Sequence, residues 1–249
     1  MEAPEALRSI VSALSGLSPG EIHAGLALDQ IKLRGSIKRA RLDAELRKRF
    51  QRSFPNVYTA KTYAELETAV LGAPSAPVPF PAPSAPSATA KPSAPQATSS
   101  SGWPAGDAPL ACGIDLEMVE NLPAVLDYWE DAFYTTHFTP SEIAWCSLQP
   151  EPRLHFTVRW AAKEALKKCD STFMLAETCN LELKPGENGE FHLVRLAATG
   201  REILPHAVLV SQTDAFAASV VTRLPADADR ASLLAEMAAK LAATLPVPE

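Results

Sequence analysis

Apolar residues recur with the helical period at three places near the N-terminus. Over 5–17, Leu7, Ile10, Val11 and Leu14 fall at i, i+3, i+4 and i+7 and predict an amphipathic helix, ended by Ser18-Pro19-Gly20. Over 36–50, Ile37, Ala40, Ala44 and Phe50 mark the inner side of a second helix whose outer side is crowded with Lys and Arg. Thr62 opens a short third helix through Val70, with Tyr63, Leu66 and Val70 inward and Glu65 at the capping-box position. Together these predict a small antiparallel bundle over 1–72. From 73 to 109 the periodicity vanishes: ten prolines stand among Ala, Ser and Thr. Such a stretch buries too little to offset the entropy of ordering and reads as a semi-stiff extended tether, with Trp103 near its end as a docking point.

Beyond the tether the period changes. Residues 110–119 read as a short buried strand, and 152–169 as the strongest helix in the chain. That helix carries a narrow stripe of mostly small residues (Val158, Ala161, Ala162, Ala165, Cys169) that lets a neighbour come close. Alternation over 180–184 and 191–196, around a Pro-Gly turn at 185–189, predicts a hairpin. Residues 197–204 read as helix or loop, and 208–212 and 215–222 as two closing strands. An Ala-rich amphipathic helix follows Pro225, with Asp229 as cap and Leu233, Leu234, Met237, Leu241 and Leu245 on one face. The expected fold class is α+β: a helical bundle over 1–72, a linker over 73–109, an α+β domain over 110–224 and a helical extension over 225–249.

Two clusters of charge interrupt the apolar pattern. Asp115 lies inside the 110–119 strand, where an unpaired carboxylate is costly and needs a partner. Glu117, two residues on, shares its face. On the 152–169 helix, Arg159, Lys163 and Lys167 stack at i, i+4, i+8, and Trp160, Glu164 and Lys168 stack beside them. Two carboxylates from a strand and one from a helix are oxygen ligands of the kind Mg²⁺ takes, and the flanking cations suit phosphate oxygens. A solvated face with a Glu164–Lys168 pair is the plain alternative for the helix by itself.

Composition narrows the field. The net charge of −6 argues against nucleic acid as the main partner. It conceals an asymmetry: residues 1–72 carry eleven Lys and Arg against eight Asp and Glu, while 102–249 carry eleven against twenty-one. A salt-sensitive dock between the two folded units is therefore expected. No run has the length of a membrane span, and the acidic start MEAPEALRS is unlike a secretory signal. Cys112, Cys146, Cys169 and Cys179 have no metal-ligand spacing and read as reduced core thiols of a cytoplasmic protein. His137, His155, His192 and His206 form no triad and read as structural.

The first unit resembles an acyl carrier protein, in which the prosthetic-group serine opens the second helix within Asp-Ser-Leu. The matching triplet is Gly35-Ser36-Ile37, which makes Ser36 the phosphopantetheine attachment position that the resemblance implies. The sequence departs from the family by lacking the acidic residue before the serine and by a basic second helix (Lys38, Arg39, Arg41, Arg47, Lys48, Arg49). A pseudo-carrier or docking domain is the other reading of this unit.

The second unit resembles the 4′-phosphopantetheinyl transferases of the holo-acyl-carrier-protein synthase type. The residues are Gly113-Ile114-Asp115-Leu116-Glu117 and Trp160-Ala161-Ala162-Lys163-Glu164-Ala165-Leu166-Lys167-Lys168. The segment from Phe138 through Glu142 and Trp145 to Pro150 is similar to the transferase domain of fungal type I fatty acid synthases. The resemblance implies transfer of the phosphopantetheine arm of coenzyme A to a serine of a carrier protein or synthase carrier domain, in fatty acid or polyketide synthesis, with release of 3′,5′-ADP. It further implies that Asp115, Glu117 and Glu164 hold Mg²⁺ and that Glu164 and Lys168 are catalytic. Arg159, Lys163, Lys168 and Ser211 would bind coenzyme A, or dock the carrier, and the protein would be a homotrimer with sites between subunits. Ser211 stands where the family has a Ser-x-x-His element, which here ends in Asp214, an anion in place of His that is expected to weaken coenzyme A binding. That departure keeps a second reading open: the same fold as a non-catalytic module that binds a carrier or synthase.

Overall fold

The computed structural model describes residues 2–31, 33–72, 111–186 and 189–224, with Ser232 and Ala235. The expected linker with Trp103 and the expected helix beyond Pro225 lie outside the described residues.

The first unit follows its periodicity closely. Helix α1 (Ala3–Ser15) has Pro4 in its first turn and ends at Gly16 in the left-handed conformation, whose N–H bonds the Ser12 carbonyl. Helix α2 (Ser36–Phe50) begins after Gly35. Helix α3 (Tyr63–Leu71) is capped by Thr62, whose hydroxyl accepts from the Glu65 N–H at 3.3 Å. Their shared core contains Leu7, Val11, Leu42, Leu46, Tyr63 and Leu66. Gly35 stands at φ 97°, ψ 159°, a region open in practice only to glycine. An aspartate could not take that conformation without strain, which accounts for the missing acid before Ser36.

The second unit is a mixed α/β domain. Strand β1 (Cys112–Met118) leads to α4 (Ala132–His137), α5 (Pro140–Ser147) and α6 (Pro152–Cys169). Strands β2 (Leu181–Pro185), β3 (Phe191–Ala197), β4 (Gly200–Ile203), β5 (His206–Gln212) and β6 (Phe216–Arg223) complete it. All pairings are antiparallel, in the order β1-β6-β5-β3-β2 with β4 beside β3. The 197–204 segment, expected to be helix or loop, instead turns at 198–199 and returns as β4, with Ala197 opposite Gly200. Its side chains are all exposed, so it carries no apolar alternation to announce a strand. Helix α6 lies along one face of the sheet, with Val158, Ala162 and Ala165 packed on Leu181, Ala217 and Val221.

The two units share a third core. Ile37, Ala40 and Ala44 of α2 pack with Leu122, Phe133 and Trp160 of the second unit. These α2 residues were expected to face the bundle's own interior; Leu42 and Leu46 do so instead. His137 is buried in the joint, its Nε2 3.0 Å from the Ala40 carbonyl and its Nδ1 2.8 Å from the Thr178 hydroxyl. A carbonyl only accepts, so Nε2 carries the proton and Nδ1 accepts from Thr178. Arg47 bridges Asp43 at 2.8 Å and Glu177 at 2.9 Å. The dock is thus mainly apolar, with an ion pair beside it, where net charge suggested a contact built on opposite charges. Among the described residues no helix is long and apolar enough to cross a membrane.

Candidate active site

The centre of the site is the crossing of β1 on α6. A Cβ on Gly113 would collide with the Ala165 carbonyl oxygen and the Cys169 amide nitrogen, so glycine lets the strand backbone rest on the helix backbone. The strand runs antiparallel to the helix. Cys169 Sγ donates to the Ala111 carbonyl at 3.1 Å, Lys168 reaches Ile114 and Asp115, and Arg153 at the helix start donates to Val119 and Leu122 carbonyls at 2.8 and 3.0 Å. Asp115 and Glu117 therefore face the stretch of α6 between Lys168 and Trp160, which includes Glu164.

Asp115 is buried, and its Oδ1 lies 2.6 Å from the half-exposed Lys168 ammonium. Its Oδ2 is buried without a hydrogen-bond partner. Burial pushes the Asp115 carboxyl above its ordinary pKa, and Lys168 counters part of that rise. Glu117 Oε1 accepts from Asn121 at 2.6 Å and from the Met118 N–H at 3.0 Å. Its pKa is also raised, first by burial, with Asn121 opposing and Asp115 adding a smaller rise. Glu164 pairs with Lys167 at 3.3 Å, one residue from the Lys168 partner that helical spacing offered.

Each of the three acids thus has a protein partner, and among the described residues no three His, Cys, Asp or Glu side chains gather as a metal site. The donor set fits a more modest role. Mg²⁺ commonly takes one or two carboxylates and completes its shell with water and phosphate. An orphaned Asp115 oxygen at the β1–α6 crossing suits that demand, and Glu164, one turn before Lys168 on α6, is the helix carboxylate that would join it. Glu117 is saturated on Oε1 and suits it less.

Two residues expected at the phosphates are elsewhere. Lys163 is fully buried, 2.6 Å from Glu142 and 3.1 Å from the His137 carbonyl. Glu142 also accepts from the Thr139 and Leu183 N–H groups, each at 3.0 Å, so the pair ties α5 and β2 to α6. Burial holds the Lys163 pKa below its ordinary value, against the pull of Glu142. Arg159, also buried, stacks over the Trp145 ring at 4.3 Å and donates to the His155 carbonyl. Both are structural because α4 and α5 cover a helix face that looks solvated when α6 is viewed in isolation. Ser211 stands in register with Ala218, itself opposite Leu116, on the sheet face turned away from α6. Within one chain it does not join the acids.

One neighbour was not foreseen. The Trp160 indole N–H, one turn before Glu164, donates to the Ser36 hydroxyl at 3.2 Å. Ser36 also lies close enough to Glu117 for its hydroxyl to lower that carboxylate's pKa. The first unit thereby presents its first α2 residue to the acids of β1. No local pattern signals this contact, because it joins residues 124 positions apart.

Residues 111–221 match the family model of the 4′-phosphopantetheinyl transferase superfamily. A holo-[acyl-carrier-protein] synthase of Syntrophus aciditrophicus (strain SB) is 38% identical over 56 residues, 22% of this chain and 44% of that protein. The fatty acid synthase subunit alpha of Saccharomyces cerevisiae is likewise 38% identical over 56 residues, but these make up only 3% of its length. The chain therefore spans less than half of these relatives. Among solved structures, the Chronobacterium ammoniagenes ACPS-CoA complex aligns with a TM-score of 0.35 at 20% identity, over 47% of this chain and 98% of that one.

Proposed function

We propose that this chain, whose residues 111–221 match the family model of the 4′-phosphopantetheinyl transferase superfamily, moves the phosphopantetheine group of coenzyme A onto the serine of an acyl carrier protein or carrier domain. The observation that carries the reading is the Gly113 crossing, which rests β1 on α6 and brings Asp115 to Lys168, one turn beyond Glu164 on that helix. The bond broken is the phosphoanhydride of coenzyme A, and 3′,5′-ADP leaves. Catalysis of such a step is mostly positioning and charge stabilisation.

Each residue has a role in this reading. Asp115, through its unpartnered oxygen, and Glu164 would hold Mg²⁺, which when bound offsets the negative charge of the diphosphate. Lys168, half exposed and bonded to Asp115 at 2.6 Å and to the Ile114 carbonyl, turns its remaining donor to a phosphate oxygen. Glu117 receives the proton of the attacking hydroxyl, since burial raises its affinity for protons. Lys163 and Arg159 act only by holding α6 in place.

The test is incubation with coenzyme A, Mg²⁺ and a panel of unmodified carrier proteins, read by intact mass. Addition of phosphopantetheine with release of 3′,5′-ADP is the expected result. No addition to any carrier removes the reading. A second reading, a non-catalytic carrier- or synthase-binding module, is favoured by the partnered state of all three acids and by Asp214. Stable carrier binding without turnover would support it.

A further inference from the structure

Ser219 lies in the middle of β6, on the sheet face that α6 covers, and is 1% exposed. Its surroundings within the sheet follow from the register. Ala217 and Val221 flank it on the same face of β6, and both belong to the core under α6. Val210 of β5 stands opposite on one side and packs against the same core. Asp115 of β1 stands opposite on the other side. The hydroxyl is thus surrounded in the sheet by three apolar side chains and one carboxylate.

Both members of this cross-strand pair carry an unmet polar atom. Ser219 Oγ and Asp115 Oδ2 are buried, and neither has a hydrogen-bond partner among the described residues. A buried hydroxyl in that state is destabilising, and alanine, which β6 itself uses at 217 and 218, fills such a place without the penalty. The two atoms are chemically complementary, because a hydroxyl donates and a carboxylate only accepts. Directly opposite residues on one face set their Cβ atoms about 4.5–5.5 Å apart, and turning one bond moves a serine hydroxyl among its three staggered positions. Asp115 is otherwise fastened by Oδ1 alone, 2.6 Å from the half-exposed Lys168. A carboxylate held at one oxygen swings about it, and a donor on the buried side removes that freedom. Each carboxylate oxygen has two lone pairs, so accepting from Ser219 leaves Oδ2 able to meet a cation.

We propose that Ser219 is a positioning residue for Asp115: its hydroxyl donates to Oδ2 when that carboxylate serves as a ligand of Mg²⁺, and so fixes the direction from which the carboxylate meets the cation. The proposal rests on the transferase reading above and on the role of Asp115 within it. Ser219 is buried beneath α6 and acts only through Asp115. Its hydroxyl is kept at a cost to the resting fold because the site needs it, the pattern expected where function overrides packing.

The experiment compares the full chain with its Ser219→Ala variant. Mn²⁺ alone is the probe, its free form followed by electron paramagnetic resonance, beside urea unfolding and the rate of carrier loading. Ser219→Ala is expected to bind Mn²⁺ about 10–100-fold more weakly, the usual effect of removing a partner that orients a metal ligand. It should need correspondingly more Mg²⁺ for half-maximal transfer, while its urea midpoint stays the same or rises, since no hydrogen bond of the resting fold is lost. In an Asp115→Ala chain the added change Ser219→Ala should cost no further rate, because no carboxylate is left to position. Equal Mn²⁺ affinity in wild type and Ser219→Ala overturns the proposal, and the transferase reading stands if carriers are still loaded. If wild type loads carriers yet binds no Mn²⁺, the metal role of Asp115 falls and this proposal goes with it. If wild type loads no carrier, the transferase reading itself falls.

Discussion

At the scale of single residues, the site depends on contacts that permit little substitution. Gly113→Ala places a methyl group against the backbone of α6, which can yield only by separating strand from helix. We expect a loss of about 1–3 kcal/mol, the usual cost of overpacking, seen as a lower urea midpoint. Glu164→Gln retains shape and removes charge. It should lower turnover of coenzyme A by about 100-fold or more while the circular dichroism spectrum and melting temperature hold, a scale typical for loss of one charged catalytic group. Lys163→Met leaves Glu142 as a buried carboxylate without its cation. A loss of about 3–5 kcal/mol is expected, measured by denaturant unfolding, with partial recovery in Lys163→Met/Glu142→Gln. Phosphate affinity of whatever folds should be little changed, which separates this structural role from the ligand role that helical spacing suggested.

At the scale of elements, much was legible because the signals are local. The 36–50 and 152–169 helices appear with their expected bounds, and Thr62 caps α3 as its side chain implies. Asp115 needed a partner, and Lys168 supplies it. What local signals could not give is which covering element each side chain meets. Arg159 and Lys163 look solvated on a helical wheel and are buried because α4 and α5 close over them. Ile37, Ala40 and Ala44 form an apolar stripe whether they face the bundle or another unit, and the stripe carries no label for its destination. Strand β4 escaped notice because both its faces meet water. The α2–α4 joint also has a pH signature. Burial lowers the His137 pKa from its ordinary 6.5 to about 3, so the unfolded chain binds its proton first. The stabilisation from keeping this ring neutral is complete above pH 6.5 and is lost progressively as pH falls toward 3. The limiting slope for one proton is about 1.4 kcal/mol per pH unit. His137→Gln should flatten that part of a stability–pH curve recorded by chemical denaturation.

At the scale of the whole molecule, the two units join through a common apolar core with Arg47 and Glu177 beside it. Raising ionic strength from about 0.1 M to about 1 M shortens the Debye length from about 10 Å to about 3 Å. A dock held by net charge would open under that change, whereas this one should keep its scattering radius nearly constant. Ala40→Glu, which sets a charge into the shared core, should open it at any salt concentration and expand the molecule in solution scattering. The linear order of bundle, Pro-rich stretch and α/β domain suggests two beads on a string, yet α2 of the bundle and the α/β domain bury a third core in common.

The shared interior has a practical corollary. A shortened version beginning after residue 72 would lay bare the hydrocarbon side of Leu122, Phe133 and Trp160, an oily scar of the sort that drives self-association. Poor solubility of such a fragment would then reflect a missing half of its own interior rather than a fault in its fold, and assays of transfer belong on the intact polypeptide.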